Sequence, residues 1–235
     1  MEYAELNLDR TLQYAAYLLL SLIALIFIVI LLPSSDAYFR RFFGEMNPII
    51  VTILASIIGA IALWQLQARY NFVLFMGKGT IRGVLMSAAF ATMLAIAIVI
   101  ADFIIRYPED MNVPVPQALL FYPAVGFVAE IIFHALPLML LFIILNPLGR
   151  WLGSEQVVWL GILLVAVLEP SFQVLFEGKA FTWGAVYSWI HVFAIAFLQL
   201  YIFKRFDFVS MYSFRLIYYT YWHILWGVIR LEVLF

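Results

Sequence analysis

Residues 128–138 read VAEIIFHALPL and place an acid, Glu130, and an imidazole, His134, four positions apart in an otherwise apolar run. Residues four apart lie on one face of a helix, so the two side chains are expected to be neighbours. The run extends over about residues 117–145, which is more than the roughly 20 residues that a helix needs to cross a bilayer. This stretch predicts a membrane-spanning helix that carries a buried polar pair.

The composition of the whole chain agrees with that prediction. Of its 235 residues, 66% are hydrophobic and 11% are charged, and the mean hydropathy is +1.05. An ordinary soluble domain is about 45–50% apolar and about 25% charged. The sequence therefore predicts an all-α, polytopic transmembrane helix bundle that forms a single domain over residues 1–235.

Two further features narrow the class. The N-terminus, MEYAELNLDRTLQY, is acidic, whereas a secretory signal is basic there, so the first apolar run is predicted to be a retained span. The chain has no cysteine, which excludes disulfides and thiolate chemistry. Its net charge of −1 gives no reason to expect a nucleic-acid partner.

The apolar runs predict seven spans, near residues 12–32, 48–66, 83–105, 117–145, 156–176, 183–203 and 210–233. The fourth run is overlong, and Pro123 and Pro137 could divide it, so eight spans are an alternative. With seven spans, one side collects more of the Lys and Arg residues: Arg10, Arg69, Lys78, Arg82, Arg150, Lys204 and Arg205, against Arg40, Arg41, Arg106 and Lys179. That bias predicts a cytoplasmic N-terminus.

Ionisable side chains at membrane depth are costly and mark functional sites. The acids well inside predicted spans are Glu130 and Glu169, and the histidines there are His134, His191 and His223. Asp102 lies near a span end. Arg215 is expected near a boundary, where its side chain could reach the membrane surface.

These side chains are predicted to share one slab of the membrane and to form one buried site. Carboxylates and imidazoles are ligands for zinc or iron, which makes Glu130, His134, Glu169 and His223 candidate metal ligands. A carboxylate and a histidine can also activate water. The alternative is a packing network in which the polar groups satisfy one another and hold the helices together.

Three short segments resemble the motifs of the CPBP family, which comprises membrane-embedded CAAX prenyl endopeptidases and bacteriocin-processing proteins. That family carries E-E-x-x-x-R, then F-x-x-x-H, then H-x-x-x-N, each on a different helix. Here AEIIFH at 129–134, VAVLE at 165–169 and HILWG at 223–227 take the corresponding places. The resemblance covers about residues 80–235 and implies a CPBP-like helical core.

The same comparison implies an altered site. Glu130 and His223 keep the family residue, whereas Ala129 stands where the family has the first glutamate of its pair. His134, Glu169 and Gly227 also replace the family's Arg, His and Asn. The first glutamate is the one expected to activate water, so the resemblance supports the fold better than it supports proteolysis.

Three functions follow as hypotheses. The favoured one is a non-catalytic or repurposed subunit or scaffold of a membrane complex, in contact with lipid and with other integral membrane subunits. His134, His191 and His223 are its candidate axial ligands for haem or a chlorophyll-type pigment. The alternative is a CPBP-like intramembrane protease, dependent on glutamate or metal, with Glu130, Glu169 and His223 as catalytic residues. A transporter with a proton relay is the third, although no inverted repeat is evident.

Overall fold

The computed structural model describes residues 2–75, 78–176 and 182–235, and the regular elements in those ranges are all helical. The α-helices are α1 (Glu2–Phe43), α2 (Pro48–Tyr70), α3 (Lys78–Ile105), α4 (Ala118–Ala129), α5 (Leu136–Leu145), α6 (Gly149–Leu152), α7 (Ser154–Ala166), α8 (Leu168–Phe176), α9 (Trp183–Arg205), α10 (Phe208–Tyr219) and α11 (Trp226–Val233). Short 3₁₀ turns occupy Glu109–Met111 and Asn146–Leu148, and π-helical turns occupy Glu130–Ala135 and Thr220–Leu225.

Six helical segments of the described chain are long and apolar enough to cross a membrane. They are Thr11–Phe43, Pro48–Tyr70, Gly79–Ile105, Ala118–Leu145, Ser154–Val174 and Trp183–Arg205. This confirms a multi-pass helical membrane protein. The seventh predicted span, near 210–233, is helical but is not among the six, because Arg215, Arg230 and several Tyr and Trp residues lower its hydropathy.

The first helix is longer than its apolar run. Residues 33–43, which the sequence predicts as a connection, continue α1 to Phe43. Pro33 lies inside this helix, and the helix bends at Ser35, whose backbone angles are φ −135° and ψ 18°. A proline removes one helical hydrogen bond and commonly bends a helix rather than ending it when neighbouring helices hold both parts.

The fourth predicted span is a single interrupted helix over Ala118–Leu145 rather than two spans. A π-helical turn, Glu130–Ala135, lies at its middle, and the N–H of Leu136 donates to the carbonyl of Ile131, five residues back. Pro137 follows immediately and has no N–H to donate. The wider turn therefore accommodates the proline without ending the span, and it contains both Glu130 and His134.

The helices pack around a centre formed by α4, α9 and α10. Helix α10 lies against α3, α4 and α9, and α1 lies against α2 and α4. Fully buried aromatic side chains fill this centre, including Phe121, Phe127, Phe203, Phe208 and Phe214. Leucine, isoleucine and valine side chains cover the outer surface of the spans, as contact with lipid requires. Polar side chains on the inward faces are thereby enclosed within the bundle.

Candidate functional site

Glu130 and His134 form the pair that the sequence predicts. Both side chains are fully buried, and Nδ1 of His134 donates to Oε2 of Glu130 at 2.5 Å. They are the first and fifth residues of one π-helical turn, so their contact follows from the local backbone as well as from their spacing. A hydrogen bond to a carboxylate is short and strong, and it fixes the orientation of the imidazole.

Arg215 connects the two buried acids. Its Nε donates to Oε1 of Glu130 at 2.5 Å, and its Nη1 and Nη2 donate to Oε1 and Oε2 of Glu169, each at 2.9 Å. The side chain is only 3% exposed, so the expectation that Arg215 reaches the membrane surface is wrong. The planar guanidinium suits a carboxylate fork, and here it holds two carboxylates from two different helices.

Two neutral side chains complete the network. Gln199, fully buried on α9, donates through Nε2 to Oε1 of Glu130. The phenol oxygen of Tyr219 accepts a hydrogen bond from Nη1 of Arg215 at 3.0 Å. The Glu130 carboxylate thus accepts from His134, Gln199 and Arg215, and both oxygens of Glu169 accept from Arg215.

The network draws on four elements of the bundle. Glu130 and His134 come from the π-helical turn after α4, Glu169 from the first turn of α8, Gln199 from α9, and Arg215 from α10. Moving charges out of water is costly, and the cost is offset only where geometry is good and the remaining polar atoms are hydrogen-bonded. The arrangement meets that requirement for the two carboxylates and the guanidinium.

One atom of the site has no partner. Nε2 of His134 is buried and makes no hydrogen bond with any described residue, and it lies 3.6 Å from Oε2 of Glu169. That separation is too long for a direct hydrogen bond and too short to admit a water molecule between the two atoms. His134 is therefore anchored through Nδ1 alone.

The same geometry bears on the predicted metal site. Among the described residues, no group of three or more His, Asp or Glu side chains is arranged to hold a metal ion. The guanidinium of Arg215 lies between the carboxylates of Glu130 and Glu169, where a shared cation would otherwise stand. The two acids thus share an arginine as their counter-ion.

His223 lies beside this network and makes different contacts. Its Nδ1 donates to Oδ1 of Asn112 at 2.7 Å, and its ring stacks on Tyr122 with centroids 4.5 Å apart. The ring of Tyr219 meets it edge-on at 4.9 Å. Tyr219 thus contacts both His223 and Arg215, but no hydrogen bond joins His223 to Glu130, His134 or Glu169. A side chain on Gly227 would approach Nδ2 of Asn112 to 3.0 Å.

His191, the third histidine, lies apart from both groups. Its Nε2 is 2.9 Å from the phenol oxygen of Tyr218, and its ring stacks on Tyr187 with centroids 5.7 Å apart. His191 belongs to α9 and is buried against Tyr218 of α10. The contacts are those of a residue that joins two helices.

A second buried ion pair is absent from the sequence-based prediction. Asp102, near the end of α3, accepts from Nε of Arg230 at 2.7 Å, from Nη2 of Arg230 at 3.1 Å and from the indole of Trp226 at 2.8 Å. Arg230 also donates to the carbonyls of Tyr107 and Pro108, at 2.6 and 2.8 Å, and is fully buried. This clamp holds α11 to the end of α3 and to the segment that follows it.

The missed residues carried a signal in the charge balance. Two acids predicted at membrane depth need a cation at the same depth, and Arg215 is the arginine of the last helix nearest that depth. Asp102 lies near the other membrane surface and also needs a cation there. Arg230, near the far end of the last predicted helix, lies at that depth. Gln199 had no such signal, because an uncharged amide is common in the interior of helical bundles.

Comparisons of the chain with protein-family models, curated proteins and solved structures give no match. The class of the protein is therefore defined by its own fold and site. It is a multi-pass helical membrane protein whose interior holds an Arg–carboxylate network and, separately, an Asp–Arg clamp.

Proposed function

We propose that the chain is a non-catalytic or repurposed subunit of an integral membrane complex, built on a helical core that resembles the CPBP family. The proposal includes a seventh span over residues 208–233. At about 1.5 Å per residue this segment reaches about 39 Å, which exceeds the roughly 30 Å hydrocarbon core. Its arginines are paired inside the bundle, so they do not face lipid.

One observation carries the proposal: Arg215 binds both carboxylates. A general base must present an oxygen within hydrogen-bond reach of the water that it deprotonates. Both oxygens of Glu130 accept from Arg215, Gln199 or His134, and both oxygens of Glu169 accept from Arg215. The network is suited to holding four helices in place.

Glu130→Gln tests this reading. The amide keeps the size of the side chain but cannot act as a carboxylate base. In proteoliposomes that contain a membrane-spanning peptide, wild-type protein and the variant are expected to give the same background cleavage. Purification in mild detergent, followed by native mass spectrometry, is expected to recover the chain with other membrane proteins. A monomer whose peptide cleavage is lost in Glu130→Gln would overturn the proposal.

The contacts of His223 support a more specific proposal, in which this membrane subunit binds a pigment. The hydrogen bond from Nδ1 to Asn112 orients the ring and leaves Nε2 as the nitrogen with a free lone pair. Haem and chlorophyll-type pigments take such a nitrogen as an axial ligand. His134 is less suited, because its Nε2 is enclosed 3.6 Å from Glu169. An absorption band that is present in the purified wild type and absent in His223→Ala would support this version. A featureless wild-type spectrum would contradict it.

The second candidate is a CPBP-like hydrolase that uses Glu130, Glu169 and His223. The unpartnered Nε2 of His134 favours it, since a catalytic role is one explanation for a buried nitrogen that makes no hydrogen bond with a described residue. This candidate requires Arg215 to release at least one of the two carboxylates when substrate binds. Cleavage that requires both Glu130 and Glu169, measured with the Gln variant of each, would select it.

A further inference from the structure

Three helix ends meet at one corner of the bundle. Nζ of Lys204, at the end of α9, donates to the carbonyl of Tyr70, the last residue of α2, at 3.3 Å. The segment after α2 is joined to the start of α10, since the N–H of Phe208 donates to the carbonyl of Val73 at 3.0 Å. Helix α3 packs closely against the same corner. A Cβ added to Gly83 would lie 2.9 Å from the Cβ of Phe206.

Basic side chains surround this corner. Arg69 stands at the end of α2, Arg82 in the first turns of α3 and Arg205 at the end of α9, and all three are exposed. None of the three forms an ion pair with a described residue. Lys204 lies over the ring of Phe72, with Nζ 5.1 Å from its centroid. We name Arg69, Arg82, Lys204 and Arg205 the basic corner.

Two acids whose side chains the structure describes lie at this end of the bundle, near the basic corner. Asp207 is buried beneath the basic corner, where it accepts from Thr80 and, at 2.7 Å, from the N–H of Ser210. Glu155 is exposed at the start of α7, one turn before Trp159, whose ring stacks on Tyr201 of α9 at 6.1 Å. It forms no ion pair with Arg205 or any other described residue, so it does not neutralise the arginines of the basic corner.

At the opposite end of the bundle, two of the exposed arginines form ion pairs. Arg40 pairs with Asp36 at 2.8 Å and with Glu45 at 3.0 Å, and Arg41 pairs with Asp110 at 2.9 Å. Arg106 is exposed there without an ion pair to a described residue, and it is a single charge rather than a group. Among the side chains that the structure describes, the two ends therefore differ in unpaired positive charge, and the basic corner is where an anion is attracted.

The surroundings of the basic corner select the kind of anion. Leu85 follows Arg82 by three residues on the same face of α3, which places it about 4.5 Å deeper in the bilayer, and it is 66% exposed. Trp64 lies five residues before Arg69 on α2 and is 52% exposed. We propose that the basic corner binds the headgroup of an anionic phospholipid, whose acyl chains lie along the outer faces of α2 and α3.

This surface is tested by titrating detergent-solubilised protein with phosphatidylglycerol or phosphatidylcholine and measuring bound lipid by native mass spectrometry. Wild-type protein is expected to prefer phosphatidylglycerol. Each arginine near a membrane surface contributes about fivefold to anionic-lipid binding. The triple variant Arg69→Gln, Arg82→Gln, Arg205→Gln should therefore bind phosphatidylglycerol on the order of a hundredfold more weakly. Its affinity for phosphatidylcholine should not change.

Matched variants separate this site from general charge. Arg40→Gln, at the opposite end, should leave phosphatidylglycerol affinity unchanged, and Glu155→Gln should raise it slightly. Glycerol phosphate should not compete at equal concentration, because it lacks acyl chains; equal competition would show a phosphate site and overturn the proposal. Wild-type affinity in the triple variant would also overturn it.

A measurement on the wild type alone covers the case in which the triple variant fails to fold. Raising the salt concentration tenfold should weaken phosphatidylglycerol binding and leave phosphatidylcholine binding unchanged, because exposed charges are screened. Salt-independent binding of phosphatidylglycerol would contradict the proposal.

Discussion

At the scale of single residues, Arg215 decides the state of the buried network. Arg215→Met removes the cation and leaves Glu130 and Glu169 facing each other inside the bundle. Breaking a buried pair by removing one partner typically costs about 3–5 kcal/mol. We expect a loss of that size in the free energy of unfolding, measured by titrating detergent micelles with sodium dodecyl sulfate.

Two variants check the origin of this loss. Arg205→Met changes an exposed arginine at the end of α9 and should alter the unfolding free energy by less than about 0.5 kcal/mol. Arg215→Lys keeps the charge but lacks the planar fork that reaches both acids, so it should fall between wild type and Arg215→Met. Equal stability of Arg215→Met and wild type would show that the network does not hold the helices.

The sequence predicted three members of this network and missed the others for a physical reason. Glu130 and His134 share a helix face wherever the span is taken to begin and end, so the prediction of their contact did not depend on their exact depth in the membrane. Arg215 lies only a few residues inside the predicted start of its span, and depth was therefore misjudged. The start of α10 is itself enclosed, since Asp207 and Phe208 are fully buried. Helix ends that lie inside a bundle cannot be recognised from hydropathy alone.

At the scale of helices, the clamp between Asp102 and Arg230 holds α11. Arg230→Gln removes the charge and two of the hydrogen bonds that join α11 to Asp102. We expect faster amide hydrogen exchange in residues 226–233 and 106–112, because both segments depend on Arg230, while exchange around Glu130 changes little. Hydrogen-exchange mass spectrometry measures both regions in one experiment.

The neighbouring exposed acid provides the control for that experiment. Glu232→Gln changes a charge on the same helix that has no described partner, and exchange in α11 should stay at the wild-type rate. If Arg230→Gln left exchange in residues 226–233 unchanged, the clamp would not be what holds the last helix. If exchange rose everywhere, the two buried pairs would form one cooperative unit.

The contact between α1 and α2 depends on a glycine. A Cβ at Gly59 would lie 2.2 Å from the phenol oxygen of Tyr17 and 2.9 Å from a methyl carbon of Ile131. That phenol donates to the carbonyl of Ser56 at 2.7 Å, so it has little freedom to move. Gly59→Ala should therefore lower the free energy of unfolding by about 1–3 kcal/mol.

Gly149→Ala is the matched change, because no described atom outside its chain neighbours and its own helix backbone lies within 4 Å of the added carbon. It should leave the unfolding free energy unchanged or raise it slightly, since alanine favours a helix. A destabilised Gly149→Ala together with a neutral Gly59→Ala would contradict the close packing of α1 on α2 beside the π-helical turn.

The sequence predicted the positions of the helices better than their internal irregularities. Apolar runs locate the six spans within a few residues, apart from the extension of α1 to Phe43. The π-helical turns at Glu130–Ala135 and Thr220–Leu225 have no periodic signature in the sequence, because one extra residue in a helical turn leaves the local composition unchanged. Pro137 indicated an irregularity in the helix near the first π-helical turn, but it did not distinguish a π-helical turn from a kink or a break.

At the scale of the whole molecule, the segment 208–233 is the least apolar of the span candidates, yet two buried arginines join it to its neighbours. Arg215 joins it to α8 and to the turn after α4, and Arg230 joins it to α3. Its polar side chains would be costly against lipid but are enclosed by neighbouring helices. Hydropathy therefore argues against a span at 208–233, whereas the packing of its arginines inside the bundle favours one. Whether the segment crosses the membrane requires a direct test.

The absence of cysteine from the chain makes that test direct, because each introduced cysteine is unique. Met46→Cys, Glu155→Cys and Phe235→Cys place a thiol at an exposed position between α1 and α2, at the start of α7 and at the C-terminus. Arg230 donates to the carbonyl of Pro108, and Arg41 pairs with Asp110, so the end of α11 lies on the side of Met46. In sealed vesicles, a membrane-impermeant maleimide should label Met46→Cys and Phe235→Cys from one side and Glu155→Cys from the other. Labelling of Phe235→Cys together with Glu155→Cys would mean that residues 208–233 return to the side on which they began, and six spans rather than seven would cross the membrane.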